Sequence, residues 1–324
     1  MSQEREQRGD GLVPLGADQA LSPRRVDMAR RGLDLARSLD ALDVAARPPR
    51  IVRFPEDRSM GHLCILIPEG RLMEYLFNAS IWTENSQYMC EARGMVTVPA
   101  GEVLALGPSV EASRDLSPLA TLKPDDLFSL HLNSTRTTDA GLAHLRGLAD
   151  LRYLGLRNTE VTDVGLAHLR GLTNLQGLEL SETQVTDVGL AHLTGLANLG
   201  VLWIRSTSVT GVGLAHLVGL TKLLWLSLDN SSITDAGLAH LAGLANLQRL
   251  DLTETQATDV GLAHLTGLAN LEGLYIGLTS VTDVGLAHLT GLTNLLWLNL
   301  ARTSVTDVGV AKLRAALPGC VIFH

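Results

Sequence analysis

Seven histidines recur every 24 residues, at His144, His168, His192, His216, His240, His264 and His288. Imidazole is a common zinc ligand and the side chain that exchanges protons near neutral pH. A periodic array of it is therefore the first place to look for chemistry. Zinc needs several ligands at about 2.1 Å from one ion, whereas residues on successive helices stand about 8–10 Å apart between axes. The spacing predicts a ladder on a helix surface and no metal site. Aspartate keeps the same period and follows a threonine each time, as in Thr186-Asp187. It reads as a helix cap, with Asp187 accepting from the first N–H groups of a helix Val188–Leu196. Cys64, Cys90 and Cys320 are odd in number and show no CxxC spacing, so they form no disulfide framework. No Asp/His/Ser set stands apart from the periodicity, and the recurring glycines mark helix ends rather than a phosphate-binding loop. These residues predict a non-enzymatic protein without metal or cofactor.

The element that positions them is a 24-residue unit, L-x-x-L-x-L-x-x-T-x-V-T-D-x-G-L-A-H-L-x-G-L-x-N, intact from Leu175 to Asn198. Residues 127–318 hold eight copies, starting at Leu127, Leu151, Leu175, Leu199, Leu223, Leu247, Leu271 and Leu295. Positions 4 and 6 are apolar between variable residues, which is the alternation of a strand. Position 9 is threonine in seven units and Ser231 in the fifth. Its expected work is to bond backbone groups where the chain leaves the strand. Leu190, Leu193 and Leu196 then face a core from a helix. Gly211 replaces the aspartate of the fourth unit, so that helix is expected to start less well. Each inward side chain contributes roughly 1.5–3 kcal/mol when fully buried, too little for a lone unit to offset its ordering entropy. The units must stack. Strands stack about 4.8 Å apart and helices about 8–10 Å, so the stack curves with its strands inside. The fold class is an α/β solenoid, a leucine-rich-repeat horseshoe with a parallel concave sheet and convex helices.

Ahead of the repeats the pattern changes. Residues 1–21 lack periodicity and read as disordered. Ser22-Pro23 opens an amphipathic helix carrying Met28, Leu35, Leu39 and Leu42, and Pro48-Pro49 closes this 22–49 segment. Residues 50–106 read as a small β-rich capping module, with short strands over Ile51–Phe54, His62–Ile67, Met95–Val98 and Val103–Leu106. Residues 107–126 are a degenerate repeat, in which Leu116, Leu119 and Leu122 take the spacing of Leu142, Leu145 and Leu148. Residues 319–324 are a terminal partial strand, with Ile322 where Leu298 sits one unit earlier.

The phrase VTDVGLAHLTGLANL resembles bacterial leucine-rich-repeat proteins. It is also similar to the cysteine-containing subtype of F-box proteins, although position 9 is threonine here and each unit is two residues shorter. The resemblance covers the eight units and implies a protein-interaction scaffold, with no catalytic residue to carry over.

Function then rests on the variable strand positions. Position 3 carries Tyr153, Trp225, Arg249 and Trp297, and position 5 carries Glu179, Trp203, Asp251 and Tyr275. All five tryptophans and tyrosines of residues 127–318 fall in these two columns. Exposed aromatics of this kind anchor interfaces. Arg157, Arg205 and Asp229 lie beside them, giving a mixed-charge, aromatic surface suited to a protein or peptide. Paired offsets are expected for Trp203 with Trp225 and for Tyr275 with Trp297. The net charge of −8 argues against nucleic acid and anionic membrane surfaces as partners. The polar start MSQEREQRGDG is no secretory signal, so a cytoplasmic setting is expected. A second reading is a signalling or ubiquitin-ligase-like adaptor or effector that recruits another protein through residues 23–106. Glycan binding on tryptophan is a third. Any oligomerisation is expected at the C-terminal end of the stack.

Overall fold

The computed structural model describes residues 47–66 and 89–324. The readings made for residues 1–46 and for 67–88 lie outside the described residues. Each unit builds a three-residue strand from its positions 3–5, from Ser129–His131 in the first to Trp297–Asn299 in the eighth. These strands pair in parallel, always with their nearest neighbours in sequence. The central residue of each is leucine, and all eight are fully buried, Leu226 among them. Positions 3 and 5 therefore project to the concave side.

The sheet does not stop at the first unit. The described leader strands are β1 (Arg50–Arg53), β2 (His62–Leu66), β3 (Met89–Glu91), β4 (Met95–Val98) and β5 (Val103–Gly107). Strand β5 runs parallel to Ser129–His131, β2 lies antiparallel to β5, and β3 antiparallel to β2. The result is one 12-stranded sheet that ends at Val321–Phe323, with β1 and β4 as a separate antiparallel pair. Val52, Met60, Leu63, Leu104 and Leu106 join the same hydrophobic core as the repeats. The leader extends the solenoid rather than sitting beside it. At the far edge Arg314 Nη2 lies 3.5 Å from the Ile322 carbonyl.

The turn out of each strand is made the same way eight times. The position-9 hydroxyl donates to the carbonyl three residues back. The distance is 2.6 Å both from Thr183 to Leu180 and from Thr279 to Ile276. The clamp holds position 8 in the left-handed region, with φ from 50° at Ser206 to 60° at Arg302. That backbone is costly for L-residues with long side chains, whereas asparagine tolerates it. Asn158 and Asn230 follow the preference; Leu278, at φ 56°, does not. Leu278 is also 40% exposed, so little packing is at stake. Leu278→Asn is expected to raise unfolding free energy by about 0.5–1 kcal/mol. Chemical denaturation checks it, and an unchanged or lower midpoint would remove strain from the account.

The convex side differs from its expected form. A continuous helix over Val188–Leu196 is replaced by one α-turn, Asp187–Leu190, running into a 3-10 turn, Ala191–Leu193. The aspartate is not the cap of its own unit. Thr186 is the N-cap, and its hydroxyl accepts from Val188 N–H. The carboxylate of Asp187 reaches forward to the next unit, accepting from Thr210 N–H at 2.7 Å and from its hydroxyl at 2.6 Å. Five further aspartates repeat the link, from Asp139–Thr162 to Asp283–Thr306. Buried donors need acceptors, and here each unit supplies the one its neighbour lacks. Gly211 breaks the ladder: it offers Thr234 no carboxylate, and Thr234 makes no side-chain cap. The fourth unit itself has only a 3-10 segment, Gly213–Leu217.

Candidate protein-interaction face

Two rows of side chains cross the strands on the concave sheet. One row runs Ser129, Tyr153, Gly177, Val201, Trp225, Arg249, Gly273, Trp297, Val321. The other runs His131, Gly155, Glu179, Trp203, Ser227, Asp251, Tyr275, Asn299, Phe323. Trp203 and Trp225 stand diagonally on adjacent strands and meet edge to face, with ring centroids 5.2 Å apart and planes at 86°. That geometry suits the aromatic quadrupole. The Arg249 guanidinium lies 5.1 Å from the Trp225 ring centre, within cation–π range. Tyr275 is the next ring, and Gly273 between Arg249 and Tyr275 lets both side chains spread over the bare backbone. Trp203, Trp225, Arg249, Tyr275 and Trp297 are all partly exposed.

Tyr153 does not belong to this surface, contrary to its column. It is 2% exposed. Its ring lies over Gly177, where an added Cβ would fall 2.8 Å from Tyr153 Cδ2. Its other neighbour is the His131 ring, 4.9 Å between centroids. Burial also pushes the Tyr153 hydroxyl above its ordinary range. The absence of a side chain at residue 177 lets the ring lie down on the sheet. The expected second aromatic pair is also rearranged. Trp297 packs on Phe323, 4.3 Å between centroids, a ring that enters column 5 only when the terminal strand is carried to its third residue.

An ionic strip runs beside the tryptophans. Arg157 contacts Glu182 at 2.8 Å, Arg205 contacts the same Glu182 at 3.5 Å, and Arg205 reaches Asp229 at 3.6 Å. The Ser227 hydroxyl donates to Asp229. Glu182, the hub, is not legible in the strand columns because it occupies the left-handed position 8. Exposed pairs of this kind contribute little stability, about 0–1 kcal/mol each. Glu179 and Asp251 lie deeper. Burial raises both carboxyl pKa values, opposed by hydrogen bonds from Ser181 and Thr253 respectively. Each accepts from a backbone N–H, Ser181 at 2.9 Å and Thr253 at 2.9 Å. These two acids shape the floor, while Arg157, Arg205, Asp229 and Glu182 form its wall.

One pair has the composition of a catalytic dyad. Ser129 Oγ and His131 Nε2 are 2.6 Å apart. Ser129 is wholly buried, however, and burial pushes the His131 imidazole down to about 3. A histidine held neutral behind a sealed serine has neither the proton affinity nor the access that nucleophilic catalysis requires. On the convex side, Arg146 donates to His168 Nδ1 and Arg170 to His192 Nδ1, both at 2.6 Å. Among the described residues no three His, Cys, Asp or Glu side chains gather as a metal site, and no helix is long and apolar enough to cross a membrane.

No family model and no curated protein sequence matches the chain. Solved structures do. It is similar to internalin C2 of Listeria monocytogenes, with 31% identity over 65% of this chain and 82% of that one, and a TM-score of 0.51. An internalin F structure from the same bacterium is 23% identical over 64% and 70% of the two chains, with a TM-score of 0.49. The described residues form the stacked parallel sheet with short convex turns that the first of these likenesses implies. The chain belongs to the bacterial leucine-rich-repeat family that includes the internalins.

Proposed function

We propose that the chain is a non-catalytic scaffold that holds a protein or peptide on its concave sheet. The observation that carries this reading is the partly exposed group Trp203, Trp225, Arg249 and Tyr275, set side by side on adjacent strands. Arginine, tryptophan and tyrosine dominate interface energetics because they fill well-packed, desolvated pockets. The Arg157–Glu182–Arg205–Asp229 strip supplies the polar rim that such interfaces carry. Trp297 and Phe323 extend the face towards the C-terminal end.

The test is affinity capture with the wild-type chain and with a Trp203→Ala/Trp225→Ala variant. Truncation of an anchor typically costs about 2 kcal/mol or more, which is about thirtyfold in affinity. The double variant is expected to lose the captured polypeptide while keeping its circular dichroism spectrum. Undiminished capture by a folded double variant would move the site elsewhere.

A further inference from the structure

Position 14 of the repeat is the most exposed apolar column of the described residues. Val164, Val188, Val212, Val260, Val284 and Val308 are 61–72% exposed. Ala140 and Ala236 complete the column. Scattered exposed valines need no explanation, but a contiguous row does. The row is contiguous because the flank is tied from unit to unit. Position 12 of one unit bridges position 10 of the next, six times from Thr138–Glu160 to Thr258–Ser280. Chains bridged this way run about 4.8 Å apart, and each valine follows two residues after the bridging threonine. Where Gly211 breaks the aspartate ladder, a dent of about 370 Å³ opens between Gly211, Val212, Thr234, Ala236, Gly237 and His240.

The charge along the row is predominantly acidic. Across the eight units, residues 136–144, 160–168, 184–192, 208–216, 232–240, 256–264, 280–288 and 304–312 contain Glu160 and seven aspartates against Arg136 and Lys312, one at each end of the row. Hydrogen bonds from Thr306 hold one of these, Asp283, below the ordinary carboxylate range. A second copy of the chain would bring the same acids to the same strip, so like charges oppose that occupant. An extended strip of small aliphatic groups bordered by carboxylates is complementary to an aliphatic row bordered by lysine or arginine. An amphipathic helix offers such a row once per turn, about every 5.4 Å, close to the spacing of the bridged units.

We propose that the valine flank is a second docking strip, separate from the concave face, for a basic-edged amphipathic helix of a partner protein. One apolar side chain of that helix fills the dent at Ala236. This does not depend on what the concave face binds.

Three synthetic peptides of about 20 residues serve as probes: a leucine-striped helix with lysine borders, the same composition with its leucines scrambled, and the striped helix with glutamate borders. Fluorescence anisotropy is read against the full chain and against a Val212→Thr/Val260→Thr/Val284→Thr variant. The striped lysine peptide is expected to bind at least about tenfold more tightly than the scrambled one, and the glutamate peptide not to bind. The triple variant keeps every charge, so a loss of about tenfold there reports the valines themselves. Its melting temperature is expected to stay near wild type, because the replaced side chains are 63–72% exposed. Equal binding by the folded triple variant, or equal binding of scrambled and striped peptides, overturns the proposal as simple charge attraction. Loss of binding in Trp203→Ala/Trp225→Ala overturns it by placing the peptide on the concave sheet. A dimer in sedimentation that the triple variant abolishes overturns it in favour of a second copy.

Discussion

Trp225→Ala is expected to weaken partner capture about thirtyfold while Leu226→Ala, one residue along the same strand, leaves capture by the folded protein intact. The stability effects should run the other way. Leu226 is wholly buried in the repeat core, and truncating such a leucine removes transfer energy and leaves a cavity, at about 2–5 kcal/mol. Trp225 gives up its edge-to-face contact with Trp203 and the Arg249 cation above it, together about 1–2 kcal/mol. The pair of variants separates an anchor from a packing residue because the two side chains leave the sheet on opposite faces. Urea denaturation and capture on the same preparations decide it. If Trp225→Ala destabilises as much as Leu226→Ala and still captures the partner, the aromatics serve sheet packing and the concave site is wrong.

How far the chain can be read from its residues depends on the distance between cause and consequence. The strand, the core leucines and the position-9 clamp are local. Leu178 and Leu180 alternate, Thr183 closes the turn three residues from Leu180, and one unit contains the whole argument. The fold class therefore follows from periodicity. The concave columns are equally accessible, and they place Trp203, Trp225, Arg249 and Tyr275 on one face. Tyr153 shows where that logic ends. Its column is right, but its exposure is set by the missing side chain of Gly177 one strand away. The leader's sheet pairing is also beyond reach, since neither β2 nor β5 carries a residue that names its partner strand. Position 8 gives little warning of its left-handed backbone, because it varies through Ser, Asn, Glu, Leu and Arg.

The aspartate column conceals its partner for the same reason. A cap is sought within a few residues of a helix start, whereas Asp163 acts on Thr186, 23 residues on. A signal is nevertheless present. Position 15 is glycine in all eight units, from Gly141 to Gly309, inside the helical turn, where glycine costs about 1 kcal/mol relative to alanine. Glycine that persists against its propensity marks a close approach. In six units the approach is the preceding unit's carboxylate, at Gly165, Gly189, Gly213, Gly261, Gly285 and Gly309.

That geometry sets the second large effect. Gly189→Ala would be expected from helix propensity to stabilise the fold by up to about 1 kcal/mol. The structure predicts the opposite sign. A Cβ on Gly189 would fall 2.3 Å from Asp163 Oδ1 and 3.1 Å from both Leu166 Cδ1 and Val185 Cγ1. The carboxylate must move, and it gives up its bonds to the Thr186 N–H at 2.8 Å and hydroxyl at 2.6 Å. Overpacking costs about 1–3 kcal/mol and a lost charge-assisted hydrogen bond about 1.5–3 kcal/mol. Gly189→Ala is therefore expected to destabilise by about 3–5 kcal/mol. Asp163→Ala alone should cost about 2–3 kcal/mol, from the same lost bonds. Once the carboxylate is gone, the methyl group has space from that side, so the double variant should fall short of the sum by at least about 1 kcal/mol. Gly195→Ala is the control, because nothing lies within 4 Å of its added Cβ; it should stay within about 0.5 kcal/mol of wild type. Urea denaturation of the four variants reads all of these differences. A neutral Gly189→Ala, or strict additivity with Asp163→Ala, would show that the inter-unit carboxylate does not hold the stack together.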